Sequence, residues 1–216
     1  MGVPARWDPS SLRLIAITDS LRDGIAGLVA RAHLAATGGA TMIQLRLQDE
    51  SPRTLVAVAR ALQSAVPHVP LLVNARADIA LAVGAQGVHV GVDDMSPEAL
   101  RRILPPESII GASVGDDVDV ARARGADYVA IGPVFGTGPR TDAGTASTAI
   151  GVARFAELAR RCGMPAVAIG GVTAENAGAV MSAGASGIAV ISALFSSPDP
   201  TQAARALRAA QDASGS

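Results

Sequence analysis

Eight times along this chain a short apolar run ends in glycine or a polar residue and passes into a stretch with helical periodicity. The runs are Leu14 to Ile17, Met42 to Leu45, Leu71 to Val73, Val88 to Val90, Ile109 to Ala112, Tyr128 to Ile131, Ala166 to Ile169 and Ile188 to Ile191. Runs this short alternating with helices imply βαβ units and a parallel sheet. The helical periodicity is plain in Ile25, Leu28, Val29, Ala32 and Ala36, and again in Leu55, Val58, Leu62 and Val66. The 216 residues divide into eight units of 27, a workable repeat for one closed barrel. Hydrophobic residues make up 49% but aromatics only 2%. The core must therefore be filled by Ala, Val, Ile and Leu, which suits strands buried on both faces.

The rival architecture is an open, doubly wound sheet, which usually places a glycine-rich dinucleotide turn after its first strand. Here that position reads Thr18-Asp19-Ser20-Leu21-Arg22, and the Gly170-Gly171 pair follows the seventh run instead. Barrels commonly bind phosphate after strands 7 and 8, on backbone N–H groups. The expected fold is thus α/β, a single (β/α)8 TIM barrel over residues 11–212. Residues 1–10 read as a flexible N-terminal tail and 213–216 as a C-terminal tail. Ser51-Pro52 and Ser96-Pro97 each predict a helix start, a capping hydroxyl followed by proline at the first helical position. Thr173 is expected to cap the helix after strand 7.

A net charge of -1 and so few aromatic rings argue against nucleic-acid binding. No apolar run reaches the roughly 18–20 residues of a membrane span, and residues 1–10 contain no apolar signal core. The single Cys162 has no partner for an internal disulfide and no histidine nearby in sequence, so it reads as an incidental thiol. A cytoplasmic location is expected.

In a closed parallel barrel the C-terminal strand ends open onto one face, where their polar residues would converge. Gln44, Arg46 and Gln48 alternate onto one side of the second strand end. The planar guanidinium of Arg46 suits phosphate oxygens, although pairing with Asp49, Glu50 or Asp94 would be a purely structural role. Asn74 could face a ligand's ring nitrogen or serve a turn. Asp93 and Asp94 could hold Mg²⁺, or form an acidic turn before Ser96. His89, inside a strand, reads as a packed and hydrogen-bonded residue rather than a base. Ser113 could donate to a phosphate or act as a cap. The stretch from Gly132 to Thr141, with Thr137 and Arg140, has the composition of a lid over an anion or, alternatively, of a disordered surface loop. Gly170, Gly171, Ile191 and Ser192 would form a phosphate cup, although glycines here could also serve only close packing.

Taken together, these stretches resemble the thiamine phosphate synthase family, whose relatives include thiazole tautomerases. The resemblance runs from Ile15-Ala16-Ile17-Thr18-Asp19 to Gly187-Ile188-Ala189-Val190-Ile191-Ser192. Its most specific parts are Gly39 to Arg46, Ala85 to Gly91, Gly125 to Phe135 and Ala168 to Thr173. It implies a transferase joining 4-amino-2-methyl-5-hydroxymethylpyrimidine diphosphate to a thiazole phosphate, giving thiamine phosphate and pyrophosphate. On this resemblance, Gln44, Arg46, Asn74 and Ser113 match positions for the pyrimidine diphosphate. Asp94 matches one of two Mg²⁺-binding aspartates, and Thr137, Gly171, Ile191 and Ser192 match the thiazole-phosphate side. Arg46, Ser113 and Arg140 are the expected catalytic residues, and Mg²⁺ the expected cofactor. Five positions depart from the family pattern: Gln48 stands for a usual lysine, Ala75 for an aspartate, Val92 for a glutamine, and Pro139-Arg140 for Thr-Lys. Two other readings stay open, a thiazole tautomerase and a non-catalytic binder of thiazole phosphate. The expected partners are phosphorylated small molecules, with neither nucleic acid nor membrane, and homo-oligomerisation is left open.

Overall fold

The structure, a computed structural model, describes residues 7–136 and 148–213. Its strands are β1 (Leu14–Ile17), β2 (Met42–Leu45), β3 (Leu71–Asn74), β4 (Gly87–Val90), β5 (Ile109–Val114), β6 (Tyr128–Ile131), β7 (Ala166–Ile169) and β8 (Gly187–Val190). Every strand pairs in parallel with the next, and β8 pairs back onto β1, so the sheet closes into a barrel in sequence order. Each strand is followed by helix: α1 (Gly24–Thr37), α2 (Pro52–Ala65), α3 (Ala77–Val83), α4 (Pro97–Leu100), α5 (Asp117–Arg122), α6 (Gly151–Cys162), α7 (Ala177–Ser182) and, after β8, the short α8 (Ser192–Phe195) and the longer α9 (Pro200–Asp212). The fold is the single (β/α)8 barrel expected from the repeat of apolar runs.

Burial on both strand faces explains why those runs are nearly continuous. Outward residues such as Leu14, Ile43, Val73, Val88 and Ile131 pack against the helices in one cluster. Inward residues such as Ile15, Met42, Leu72, Ile109, Val167 and Ala189 fill the barrel in another. Ser51 and Ser96 cap α2 and α4 as expected, accepting from Thr54 N–H at 3.1 Å and Ala99 N–H at 3.3 Å.

Three local expectations change. The segment from Trp7 is structured: Asp8 caps a 3₁₀ turn over Pro9–Leu12, and the Trp7 ring lies 6.3 Å from that of Tyr128. The tail therefore cannot include residues 7–10, because Trp7 is packed on the inner core. Thr173 does not cap α7, which starts four residues later behind Asn176. Asn176 spans that turn, its Oδ1 accepting from Thr173 N–H at 2.8 Å and its Nδ2 donating to Gly171 O at 2.9 Å. Ser113 lies within β5 rather than beyond it, since pairing with β6 continues to Val114.

Candidate active site

At the mouth of the barrel, Thr18 follows β1 and is fully buried. Its hydroxyl accepts from Arg46 N–H at 2.8 Å and lies 3.2 Å from Arg46 O as a donor. One side chain thus pins both backbone groups of Arg46, fixing where its side chain leaves β2. The Arg46 guanidinium donates to Gln48 Oε1 at 2.8 Å. Gln44, 3% exposed, donates through Nε2 to Asn74 Oδ1 at 2.9 Å. Gln44, Arg46, Gln48 and Asn74 therefore form one polar arc across β2 and β3; Asn74 does not cap α3, whose N-cap is Arg76, but its carbonyl accepts from Arg76 N–H at 2.7 Å and so opens the turn there. Arg76 stands apart, forked onto Asp78, which holds that carboxyl below its usual range.

Ala75 interrupts the arc. It has φ 61°, the left-handed region that L residues other than Asn and Asp rarely occupy. The conformation is one that an aspartate would tolerate, but the methyl group offers no ligand.

Across β3, β4, β5 and β6 the residues Asn74, His89, Gly111 and Tyr128 occupy one row of the sheet. A Cβ on Gly111 would lie 2.3 Å from Tyr128 Cζ, so glycine is what lets the phenol lean across β5. The Tyr128 hydroxyl reaches to 3.0 Å from His89 Nδ1, and His89 Nε2 lies 3.0 Å from Ser113 Oγ. Burial pushes His89 down to about 4, so the imidazole is neutral at neutral pH, and it pushes the Tyr128 phenol well above its ordinary range. His89 is the packed, hydrogen-bonded residue expected, and it also carries Ser113.

Ser113 lines a cavity of about 370 Å³ together with Gly91, Asp93, Asp94, Ser96 and Arg122. Asp93 and Asp94 are both exposed, and Asp94 Oδ2 accepts from Gly91 N–H at 2.7 Å. Among the described residues no three His, Cys, Asp or Glu side chains come together as a metal site. The donor set fits Mg²⁺ only in the company of a substrate: Asp94 offers one carboxylate, and phosphate oxygens and water would supply the rest, a mode Mg²⁺ favours.

On the other side of the mouth, Gly170 and Gly171 have φ 90° and 66°, left-handed geometry that turns the backbone after β7. The segment after β6 rests on this turn: Val134 N–H donates to Ile169 O at 2.9 Å and Phe135 N–H to Gly170 O at 3.0 Å. Side chains have no room there, since a Cβ on Gly170 would lie 2.4 Å from that of Pro133. Ile191 follows β8, and Ser192 opens α8 with its side chain exposed. Thr137 and Arg140 lie outside the described residues. Burial raises the Cys162 thiol on α6, which keeps it from being an activated nucleophile.

The predicted residues thus fall into three groups on one face: the arc on β2 and β3, the Ser113 and Asp94 cavity on β4 and β5, and the glycine turn with Ile191 and Ser192 on β7 and β8. Tyr128 is absent from the sequence reading of the site, and Thr18 enters it only as one of the polar strand ends that converge there. Thr18 carried a signal, a polar residue ending an apolar strand, whereas the role of Tyr128 depends on Gly111 and is visible only across strands.

A family model described as Thiamine monophosphate synthase matches residues 14–194. The chain is 45% identical to the thiamine-phosphate synthase of Azorhizobium caulinodans over 204 residues, covering 93% of this chain and 95% of that protein. It is 44% identical to that of Roseiflexus castenholzii, covering 88% and 84%. Among solved structures, thiamine phosphate pyrophosphorylase from Pyrococcus furiosus superposes with a TM-score of 0.83 at 34% identity, over 95% of this chain and 98% of that one. A 3-hexulose-6-phosphate synthase, at 20% identity and a TM-score of 0.66, shares the fold. By sequence along nearly its whole length and by the architecture of its barrel, this chain belongs to the thiamine monophosphate synthase family.

Proposed function

We propose that this chain is a thiamine-phosphate synthase, joining 4-amino-2-methyl-5-hydroxymethylpyrimidine diphosphate to a thiazole phosphate. The observation that carries the reading is the division of the barrel mouth. An amide and guanidinium arc at the ends of β2 and β3 shares one face with a glycine turn after β7, so that face offers places for two differently phosphorylated molecules.

The reaction breaks the C–O bond between the pyrimidine methylene and the diphosphate, and pyrophosphate departs with the electron pair. The thiazole nitrogen then donates its lone pair to the methylene carbon, forming the C–N bond of thiamine phosphate. No nucleophilic side chain is required. What is required is stabilisation of the departing charge by preorganised donors and orientation of the incoming nitrogen. Arg46, its backbone held by Thr18, and Ser113, held by His89, take the first task in this reading. Arg140 is assigned to the same task from the family pattern. Gln44 and Asn74 hold each other and orient the pyrimidine, with Gln48 beside Arg46. Gly170, Gly171, Ile191, Ser192 and Thr137 take the thiazole phosphate. Mg²⁺, bound through Asp94 with Asp93 adjacent, would neutralise charge on the leaving diphosphate. A cytoplasmic setting belongs to the same proposal, supported by the lack of any membrane-spanning helix among the described residues.

Pyrophosphate release from the two substrates, followed with and without Mg²⁺, tests the assignment. Turnover is expected, and Arg46→Ala should lower kcat by roughly 100-fold, the scale of losing one charge-stabilising donor. Binding of the thiazole phosphate with no product at high enzyme concentration would overturn the synthase reading in favour of a non-catalytic binder.

A further inference from the structure

We propose that Tyr128 fixes the tautomer of His89, and that this tautomer commits the Ser113 hydroxyl as a donor toward the departing diphosphate. The inference rests on the synthase reading for the identity of the anion, but its first half stands on the geometry alone.

A neutral imidazole has one N–H donor and one bare nitrogen acceptor. His89 is neutral because it is buried, and both its nitrogens are engaged, Nδ1 by Tyr128 and Nε2 by Ser113, each at 3.0 Å. Two arrangements are open in principle. In one, the phenol donates to Nδ1 and Nε2–H donates to Ser113. In the other, Nδ1–H donates to the phenol and Ser113 donates to Nε2.

The surroundings of Tyr128 decide between them. The ring is fully buried within the inner apolar cluster, among residues such as Leu72, Ile109 and Val167. Among the described residues its hydroxyl has one hydrogen-bond partner, His89. Burial also keeps the phenol protonated. If the phenol accepted from Nδ1–H, its own proton would be stranded without a partner in the apolar interior, at the full desolvation cost of an unmade hydrogen bond. The phenol therefore donates, Nδ1 is bare, and the ring proton sits on Nε2.

The consequence reaches the cavity. Ser113 Oγ accepts from Nε2–H, so its hydroxyl proton is not consumed by the histidine. Ser113 is half-buried, and it is where the hydrogen-bonded chain from the interior meets the cavity it shares with Asp94. There it presents a proton to an anionic oxygen. The opposite tautomer would turn serine lone pairs toward the diphosphate and repel it. Tyr128 and His89 are positioning residues, since neither needs to touch the substrate.

The test needs no turnover. The protein has three histidines, so the His89 ring nitrogens in ¹⁵N-labelled protein can be assigned by loss of their signals in His89→Asn. At pH 7.5 the wild type should show a bare Nδ1 and a protonated Nε2, and a protonated Nδ1 overturns the proposal. Calorimetric titration with inorganic pyrophosphate then closes a double-mutant cycle. Tyr128→Phe and Ser113→Ala should each weaken binding by about tenfold, and the double variant should be no weaker than Ser113→Ala alone. Independent, multiplying losses overturn the link between the two residues, as does a wild-type protein with no affinity for pyrophosphate. Should Tyr128→Phe not fold, the wild-type ring spectrum still decides the tautomer. Failure of the synthase reading would appear separately, as absent product in the two-substrate assay.

Discussion

Burial holds the His89 imidazole at about 4, against an ordinary value of about 6.5. Below pH 6.5 the unfolded chain takes up a proton that the folded protein excludes. The stabilisation is complete above that pH and is lost progressively as the pH falls toward 4, by about 3 kcal/mol. Urea midpoints measured between pH 7.5 and 4.5 should fall in this sense, and His89→Asn should remove that share of the slope. At Ala75 the backbone is left-handed, at about 1–2 kcal/mol for an ordinary L residue. Ala75→Asn should stabilise the protein by about 0.5–1 kcal/mol in the same measurement, because asparagine tolerates the conformation. Ala75→Asp shares that tolerance and adds a carboxylate, so pyrophosphate release is expected to saturate at lower Mg²⁺. An unchanged Mg²⁺ dependence would argue that Ala75 does not face the cation. At this scale the sequence was informative wherever a residue acts through its own type. Arg46, Asn74 and Asp94 could be named because guanidinium, amide and carboxylate advertise their chemistry. Thr18 is legible as a polar strand end but its task is not, because it acts on the backbone of a residue 28 positions away.

Strands and their neighbours were legible almost to the residue, since burial on both faces writes each strand as an unbroken apolar run. The differences come from pairing. Ser113 joined β5 because β6 offers partners up to Val114, and no property of residues 109–114 alone reveals that. Thr173 was misassigned because an Asn176 turn precedes α7, and a hydroxyl after Gly-Gly is a cap signature without being a cap. The β5–β6 pair also carries a sharp test. Gly111→Ala places a methyl against the Tyr128 ring at a separation no packed atoms adopt. Because the phenol is enclosed, the mutation should destabilise by about 3 kcal/mol, the upper end for overpacking, and displace the hydroxyl from His89. Urea denaturation and the His89 ring spectrum would report the two effects together.

For the molecule as a whole, closure of eight strands brings the β2–β3 arc and the β7 turn to one face although more than 90 residues separate them in sequence. Ligands that bind only this assembled face should stabilise the whole fold. Pyrophosphate or the thiazole phosphate at about 100 times its Kd should add about 2.7 kcal/mol, raising Tm by about 5–10 °C for a chain of this size. Differential scanning fluorimetry with each ligand is sufficient, and a ligand that leaves Tm unmoved has no place on the face. The repeat of eight polar strand ends identifies the mouth from sequence, but its three-part division requires the closed ring.

The contact between Pro133–Phe135 and the turn at Gly170 ties two neighbouring strand ends of the mouth together through their backbones. A side chain at Gly170 would strike Pro133, so a change at one strand end is felt at once by the other. The two loops are therefore free to vary only as a pair.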